Sequence, residues 1–146
     1  MGRPHGLGNV APVLGDNSGL EDFFAWMGDN FDPTITWSDL EFIRKEWDGP
    51  IVIKGIMDGE DARIAHQNGV DGIIVSNHGG RQLDCGQSSI VPMTHLAAKL
   101  GDRMTVMVDS GIRSGPDVAR AMAAGAAFTF LGRSFMYGVA ALGERG

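Results

Sequence analysis

Four short apolar segments follow one another from residue 51 onwards, and none of them alternates regularly between apolar and polar residues. They are Ile51-Val52-Ile53, Gly72-Ile73-Ile74-Val75, Thr105-Val106-Met107-Val108 and Phe128-Thr129-Phe130-Leu131. Strands of a parallel sheet are covered on both faces and have this nearly continuous apolar composition. The pattern therefore predicts four buried parallel strands.

Helical patterns separate the apolar segments. Helices are predicted over residues 59–68, 93–100 and 116–124, and a last one is predicted to start near Ser134. The third opens with Pro116, which is favoured at the first helical position, and ends before Gly125, which is favoured just after a helix. Regular alternation of strands and helices is typical of a parallel sheet with right-handed crossovers, so the sequence predicts an α/β fold made of four β/α units.

The first part of the chain has a different character. Residues 1–36 are rich in Gly, Pro and Asn, and they contain one short helix candidate near 20–28. The run Ser38-Asp39-Leu40-Glu41 matches a capping box and predicts a helix that ends near Asp48-Gly49-Pro50. We therefore expect one domain over residues 1–146, with an irregular loop segment at 1–36 and the β/α units at 37–146.

Composition limits the class of protein. With 43% hydrophobic and 21% charged residues the chain is globular, and its net charge of −6 argues against nucleic-acid binding. Cys85 is the single cysteine, which excludes an internal disulfide and suits a reducing compartment such as the cytoplasm. No secretory signal follows Met1, and no apolar run approaches the roughly 18 residues needed to span a membrane.

The segment Leu20-Glu21-Asp22-Phe23-Phe24-Ala25-Trp26-Met27 is a short amphipathic stretch with several large apolar residues. Burial in the protein's own core or against a partner explains such a stretch most simply. Peripheral contact with the inner face of the cell membrane is the alternative, because aromatic amphipathic helices also bind at lipid surfaces.

Candidate chemistry is concentrated in the nine residues Ser76-Asn77-His78-Gly79-Gly80-Arg81-Gln82-Leu83-Asp84, which follow the second strand. Imidazole and guanidinium groups at the end of a buried strand lose hydrating water, which costs free energy unless another group binds them. The paired glycines let the backbone turn or approach a ligand. A polar surface loop is the simpler interpretation, but a base and a cation three residues apart favour a functional site.

Further cations follow the other strands. Lys54 comes directly after Ile53, where its charge could stabilise an anion that forms only during a reaction. Asp109-Ser110-Gly111-Ile112-Arg113 follows the third strand, and Gly132-Arg133 follows the fourth and precedes a helix. Backbone N–H groups at a helix start together with arginine favour a phosphate site, although either element alone is also compatible with a surface arginine beside a turn glycine.

Two other patterns carry no site. Gly6-Leu7-Gly8-Asn9-Val10-Ala11 matches a loose dinucleotide-binding pattern, but no strand precedes it and no βαβ unit contains it. His66 and His95 are predicted to lie on helix faces. No pair of histidines or cysteines has the spacing of metal ligands, so we expect no metal.

Together these motifs resemble the FMN-dependent α-hydroxy acid dehydrogenases and oxidases. The resemblance rests on Ile51-Val52-Ile53-Lys54-Gly55, the nine residues from Ser76, the run from Asp109 to Gly115, and Leu131-Gly132-Arg133. Asn30-Phe31-Asp32-Pro33 and Trp37 look most like the lactate and mandelate dehydrogenase branch. The resemblance implies the C-terminal half of a TIM (β/α)₈ barrel, in which the four β/α units correspond to strands 5–8.

The resemblance also implies roles for individual residues. His78 would be the catalytic base, taking a proton from the carbon or the hydroxyl of the substrate, and Arg81 would bind the substrate carboxylate. Lys54 and Ser76 would contact the flavin ring. The remaining cofactor-binding residues would hold the ribityl phosphate of FMN: Asp109, Ser110, Gly111, Ile112, Arg113, Gly132 and Arg133. Ser110 stands where many members of the family have glycine.

The implied reaction is oxidation of a small L-2-hydroxy acid, of lactate or mandelate type, to the 2-oxo acid, with electrons passed to a quinone or another carrier. An oxidase that uses oxygen is the enzymatic alternative. The family's earlier strands are absent from this sequence, and four strands cannot close an eight-stranded barrel. We therefore expect either a fragment of a longer, homo-oligomeric protein, which is the favoured interpretation, or a half-barrel that dimerises. A phosphate- or FMN-binding fragment without turnover is the non-catalytic alternative.

Overall fold

A computed structural model describes residues 9–15 and 19–145 of the protein. The chain divides into two units, Met1–Thr36 and Trp37–Gly146. The first contains helix α1, Ala11–Leu14, and helix α2, Leu20–Asn30. Helix α2 confirms the helix predicted near 20–28, whereas α1 was not predicted. The loose dinucleotide pattern lies mostly outside the described residues, and the extent of the domain stays a prediction.

The second unit alternates helices and strands. Its elements are α3 Asp39–Glu46, β1 Val52–Lys54, α4 Gly59–Gln67, β2 Gly72–Val75, α5 Ile90–Leu100, β3 Thr105–Val108, α6 Gly115–Ala123, β4 Phe128–Thr129 and α7 Arg133–Leu142. Short 3₁₀ turns lie at His78–Gly80 and Gly143–Arg145. The strands form one sheet in the order β1-β2-β3-β4, and all neighbours pair in parallel. The predicted parallel α/β arrangement is therefore confirmed.

Several element boundaries differ from the prediction. Helix α5 begins at Ile90 rather than at 93, because Pro92 lies in its first turn, where a missing N–H costs no helical hydrogen bond. Strand β4 is shorter than predicted and ends at Thr129. Ser38 precedes α3 with helical backbone angles and makes no side-chain capping hydrogen bond, so the predicted capping box is wrong.

The core lies between the two central strands and the helices that follow the first two strands. Ile73, Val75, Val106 and Val108 alternate along β2 and β3 and are almost completely buried. Ala62 and Ala65 of α4 and Met93 and Leu96 of α5 complete this cluster. The opposite face of the sheet is less well covered, because Ile74 and Met107 are partly exposed.

Arg44 joins α3 to the start of the sheet. Its guanidinium donates to the carbonyls of Gly49 at 2.8 Å and Gly69 at 2.9 Å, and it pairs with the Asp71 carboxylate at 3.2 Å. The same carboxylate accepts the backbone N–H of Ile51 at 2.8 Å. These contacts fix the residues that enter β1 and β2, and so help to set where both strands end.

The central strand β2 provides a test of this core. Ile73→Ala removes a completely buried side chain and leaves a cavity, so we expect the free energy of unfolding to fall by about 2–5 kcal/mol. Ile43→Ala, on the exposed face of α3, is the matched control and should cost much less. Urea unfolding of both variants measures the difference, and an equal loss in the two would contradict the assigned core.

Candidate active site

Parallel pairing brings the carboxyl ends of the strands to one edge of the sheet. Lys54 is the last residue of β1, Ser76 directly follows β2, and Asp109 directly follows β3. The ladder continues one step beyond the strands, since Asp109 N–H donates to the carbonyl of Val75 at 3.2 Å. Residues that are far apart in sequence therefore become neighbours at this edge.

An ion pair occupies the centre of the edge. The Nζ of Lys54 lies 3.1 Å from Oδ2 of Asp109 and donates to Oγ of Ser76 at 2.9 Å. The Asp109 side chain is only 18% exposed, whereas that of Lys54 is 47% exposed. The ammonium group of Lys54 is therefore held by two protein contacts and is still accessible to a ligand.

The environment of Asp109 keeps its carboxyl ionised. Burial opposes ionisation and by itself raises the pKa of this group. Hydrogen bonds from Ser76, Ser110 and Lys54, together with the positive charge of Lys54, outweigh burial and hold the pKa of Asp109 below its ordinary value. The site therefore contains a stable carboxylate beside a lysine.

The loop after β2 holds His78 in an unusual backbone conformation. His78 has a φ of 57°, in the left-handed region that residues other than glycine rarely adopt, and its N–H donates to Oγ of Ser76 at 3.1 Å. Asn77 stabilises the turn from within: its Oδ1 accepts the N–H of Gly80 at 3.2 Å, and its Nδ2 donates to the carbonyl of Gln87 at 3.1 Å.

Gly79 is bound through both of its backbone groups. Its N–H donates to Oγ of Ser110 at 3.0 Å, and its carbonyl accepts Nη2 of Arg133 at 2.8 Å. A Cβ at this position would lie 2.6 Å from the Arg133 guanidinium, and the φ of Gly79 is +69°. A side chain on Gly79 would displace the guanidinium, so this glycine serves close approach as well as turning, whereas a Cβ on Gly80 would meet only Asp84, at 3.5 Å.

Two adjoining cavities meet at His78. One, of about 190 Å³, brings together nine of the predicted site residues, namely His78, Arg81, Asp109, Ser110, Gly111, Ile112, Arg113, Gly132 and Arg133. The other, of about 420 Å³, contains Lys54 and Ser76. The predicted residues thus line two cavities that have His78 in common, one with Lys54 and one with the arginines.

The first cavity has the donors that a phosphate requires. Arg113 and Arg133 line it, and Gly132 directly precedes the ten-residue helix α7, whose first N–H groups have no partner within the helix. A Cβ on Gly111 or Gly132 would meet nothing within 4 Å, so there is open space beside the backbone at both positions. Cationic side chains, backbone donors and free space fit the phosphate end of FMN.

Three structural contributors were missed by the sequence reasoning. Ser89 is 1% exposed, and its Oγ donates to the backbone carbonyl of Asp109 at 2.6 Å. Phe130 and Met136 provide an apolar wall of the first cavity. No local signal marks Ser89, because its partner lies 20 residues further along the chain. Phe130 had been assigned to the last strand rather than to the site.

A family model described as FMN-dependent dehydrogenase matches residues 2–146. The chain belongs to this family. FMN is the cofactor that the family's description prints, which confirms the cofactor predicted from the sequence.

Named relatives agree with the family. The chain is 58% identical to the L-lactate dehydrogenase of Caulobacter sp. (strain K31) over 146 residues, which are 100% of this chain and 38% of that protein. It is 55% identical to the L-lactate dehydrogenase of Acinetobacter baylyi (strain ATCC 33305 / BD413 / ADP1), with the same coverage. The chain thus spans 38% of the length of the curated relatives that it matches.

Solved structures confirm the fold class. The crystal structure of the monotopic membrane protein (S)-mandelate dehydrogenase superposes with a TM-score of 0.80 and 41% identity, over 92% of this chain and 35% of that one. Mandelate oxidase with benzoyl-formic acid superposes with a TM-score of 0.74 and 46% identity, over 79% and 34%. The four β/α units are therefore part of a (β/α)₈ barrel of this family.

The described residues contain neither a membrane-spanning helix nor a cluster of metal ligands. Between 9 and 15 and between 19 and 145, no helix has the length and apolar composition needed to cross a bilayer. Across the same ranges, no group of three or more His, Cys, Asp or Glu side chains is placed to hold a metal ion.

Asp109 gives the site a pH-dependent contribution to stability. Its folded-state pKa is below the ordinary value of 3.8, so the stabilisation is present above that value and is lost as the pH falls through the folded-state pKa. We expect Asp109→Asn to lower the free energy of unfolding by about 1–3 kcal/mol at neutral pH.

The difference between this variant and the unsubstituted protein should shrink as the pH falls below about 4, because the unfolded chain then binds a proton at this carboxyl before the folded protein does. Urea titrations over a pH series measure it. Asp102→Asn is the control, because the Asp102 side chain is 83% exposed. A stability difference for Asp109→Asn that stayed constant down to about pH 2 would contradict the assigned carboxylate.

Proposed function

We propose that the protein takes part in the FMN-dependent oxidation of a small L-2-hydroxy acid, of lactate or mandelate type, to the 2-oxo acid. One observation carries this proposal: His78 lies between a cavity rich in arginine and a cavity that contains Lys54. A carboxylate-binding cation and an anion-stabilising lysine thus line two cavities that share the base His78. The names of the relatives and of the superposed structures support the same substrate class.

Each group of residues has a task in binding FMN. Arg113, Arg133 and the backbone N–H groups at the start of α7 hold the phosphate. Asp109, Ser110, Gly111 and Ile112 line the adjoining stretch for the ribityl chain, and Gly132 leaves room beside it. Lys54 and Ser76 face the flavin ring. When bound, FMN supplies the capacity to accept two electrons.

The substrate is oriented by charge. The Arg81 guanidinium binds the substrate carboxylate through two parallel hydrogen bonds, a geometry that lysine cannot offer. His78 accepts the proton that the substrate loses on oxidation, since a neutral imidazole nitrogen is a base of suitable strength near neutral pH. Lys54, held by Asp109 and Ser76, places positive charge where negative charge develops in the cofactor during the reaction.

The acceptor of the electrons is either a quinone or another carrier, or oxygen. A quinone or another carrier suits a dehydrogenase, and the first named relatives are dehydrogenases. Oxygen is the second candidate, because mandelate oxidases are among the superposed structures. A homo-oligomer is proposed for the whole protein on the resemblance alone. A form that binds FMN without turnover is the non-catalytic alternative.

We also propose peripheral contact with a membrane through α2. Leu20, Phe24, Met27 and Phe31 recur every three or four residues along this segment and are 45–70% exposed. Such a stripe suits burial at a lipid interface. Glu21, Asp22 and Asp29 are the charged residues of α2, so apolar burial rather than attraction to anionic lipid would provide the binding energy. One superposed protein is itself a monotopic membrane protein.

His78→Gln tests the proposed base. In the FMN-loaded protein we expect the rate of flavin reduction by L-lactate or (S)-mandelate to fall about 10²- to 10⁴-fold, because proton removal loses its base. FMN affinity should change little. Anaerobic stopped-flow absorbance measures the rate. His95→Gln, on the exposed face of α5, is the matched control, and a near-normal rate in His78→Gln would exclude His78 as the base.

Phe24→Ser tests the lipid contact. Cosedimentation with uncharged phosphatidylcholine vesicles should decrease, with little dependence on salt, because burying one phenyl ring contributes about 1.5–3 kcal/mol. Phe42→Ser changes an exposed phenylalanine of α3 and is the control. If both variants bound vesicles as the unsubstituted protein does, or if the protein did not bind vesicles at all, α2 would not be a membrane contact.

A further inference from the structure

Two described residues other than glycine have a left-handed backbone conformation, His78 with φ 57° and Ser110 with φ 77°. They belong to different loops, 32 positions apart in the sequence, yet they line the same cavity. Strained backbone of this kind persists only where surrounding contacts enforce it. Ser76 accepts the N–H of His78, and Ser110 accepts the N–H of the next residue, Gly79.

The hydroxyl of Ser110 joins two parts of the site. It donates to Oδ1 of Asp109 at 2.8 Å and accepts the N–H of Gly79 at 3.0 Å. An ionised carboxylate can only accept, so the hydroxyl proton must point to Asp109 and a lone pair must point to Gly79. Since Oδ2 of Asp109 pairs with Lys54, a continuous path of polar contacts runs from the lysine to the residue after His78.

The same peptide is fixed from its other side by Arg133, which donates to the carbonyl of Gly79. Arg133 is one of the cations assigned to the phosphate. The backbone after His78 is therefore held between the ion pair at the flavin side and the arginine at the phosphate side. The path of polar contacts from Lys54 to Gly79 passes through the Asp109 carboxylate and the Ser110 hydroxyl.

We propose that Ser110 is a positioning residue for His78, because it links the backbone that follows His78 to the Lys54–Asp109 pair. The proposal rests on the function proposed above for His78. A glycine would adopt the φ of Ser110 without strain, so the hydroxyl is the property that justifies a serine there.

Ser110→Gly isolates the hydroxyl. The substitution removes the side chain and relieves the backbone strain, and Ser89 still anchors the carbonyl of Asp109 at 2.6 Å. The loop should therefore keep its fold and its stability. Ser114→Gly is the matched control, because the Ser114 hydroxyl donates to the Asp117 carboxylate in the first turn of α6 instead.

Amide hydrogen exchange measures the contact without any turnover. In Ser110→Gly the N–H of Gly79 should exchange about tenfold faster, the effect expected for losing one hydrogen bond. The N–H of His78, which Ser76 holds, should change much less. Unchanged exchange at Gly79, or equal acceleration throughout the loop, would overturn the proposed contact.

Kinetics of the FMN-loaded protein measure the positioning role. Ser110→Gly should slow flavin reduction by 2-hydroxy acid about tenfold, while the dissociation constant of the substrate stays within about twofold. Because Ser110 also lines the stretch proposed for the ribityl chain, FMN affinity should fall too, but by much less than the rate. A normal rate, or a loss of FMN affinity as large as the loss of rate, would overturn the role. If the unsubstituted protein reduced no flavin with any 2-hydroxy acid, the proposed function would fail, and exchange at Gly79 would still decide the contact.

Discussion

The contact between Lys54 and Asp109 is the interaction on which the rest of the site depends. A carboxylate that is largely buried needs a counter-charge, and Lys54 provides it across the ends of β1 and β3. Ser76 directly follows β2, the strand between β1 and β3. Its Oγ accepts hydrogen bonds from Lys54 and from the N–H of His78. Three neighbouring strands thus end in one hydrogen-bonded group.

This arrangement explains why the chemistry lies at one edge of the sheet. Each strand contributes one residue to the group, and each loop then departs toward the cavities. His78 is placed by backbone contacts rather than by packing of its ring, since it is exposed and its φ is left-handed. Family membership gives the cofactor, and the geometry supports a division between a flavin side at Lys54 and a phosphate side at Arg113 and Arg133.

The strands and the polar edge could be predicted because they depend on local patterns. Unbroken apolar runs located β2 and β3 at their observed bounds, and the motif after β2 marked His78 and Arg81. The link from Arg133 to Gly79 could not be predicted, because it joins residues 54 positions apart. The role of the Ser110 hydroxyl was missed for the same reason: its partner Gly79 is 31 positions away. The capping box failed because Ser38 takes helical angles instead of the extended angles of a cap.

The central proposal is that this edge of the sheet binds FMN and uses it to oxidise a 2-hydroxy acid. Anaerobic addition of L-lactate or (S)-mandelate to the FMN-loaded protein tests it most directly, with flavin absorbance as the signal. The account predicts that the flavin band bleaches with the L-hydroxy acid and stays unchanged with its mirror image. A protein that never retains FMN, or a flavin band that is bleached by neither L-lactate nor (S)-mandelate, would contradict this proposal.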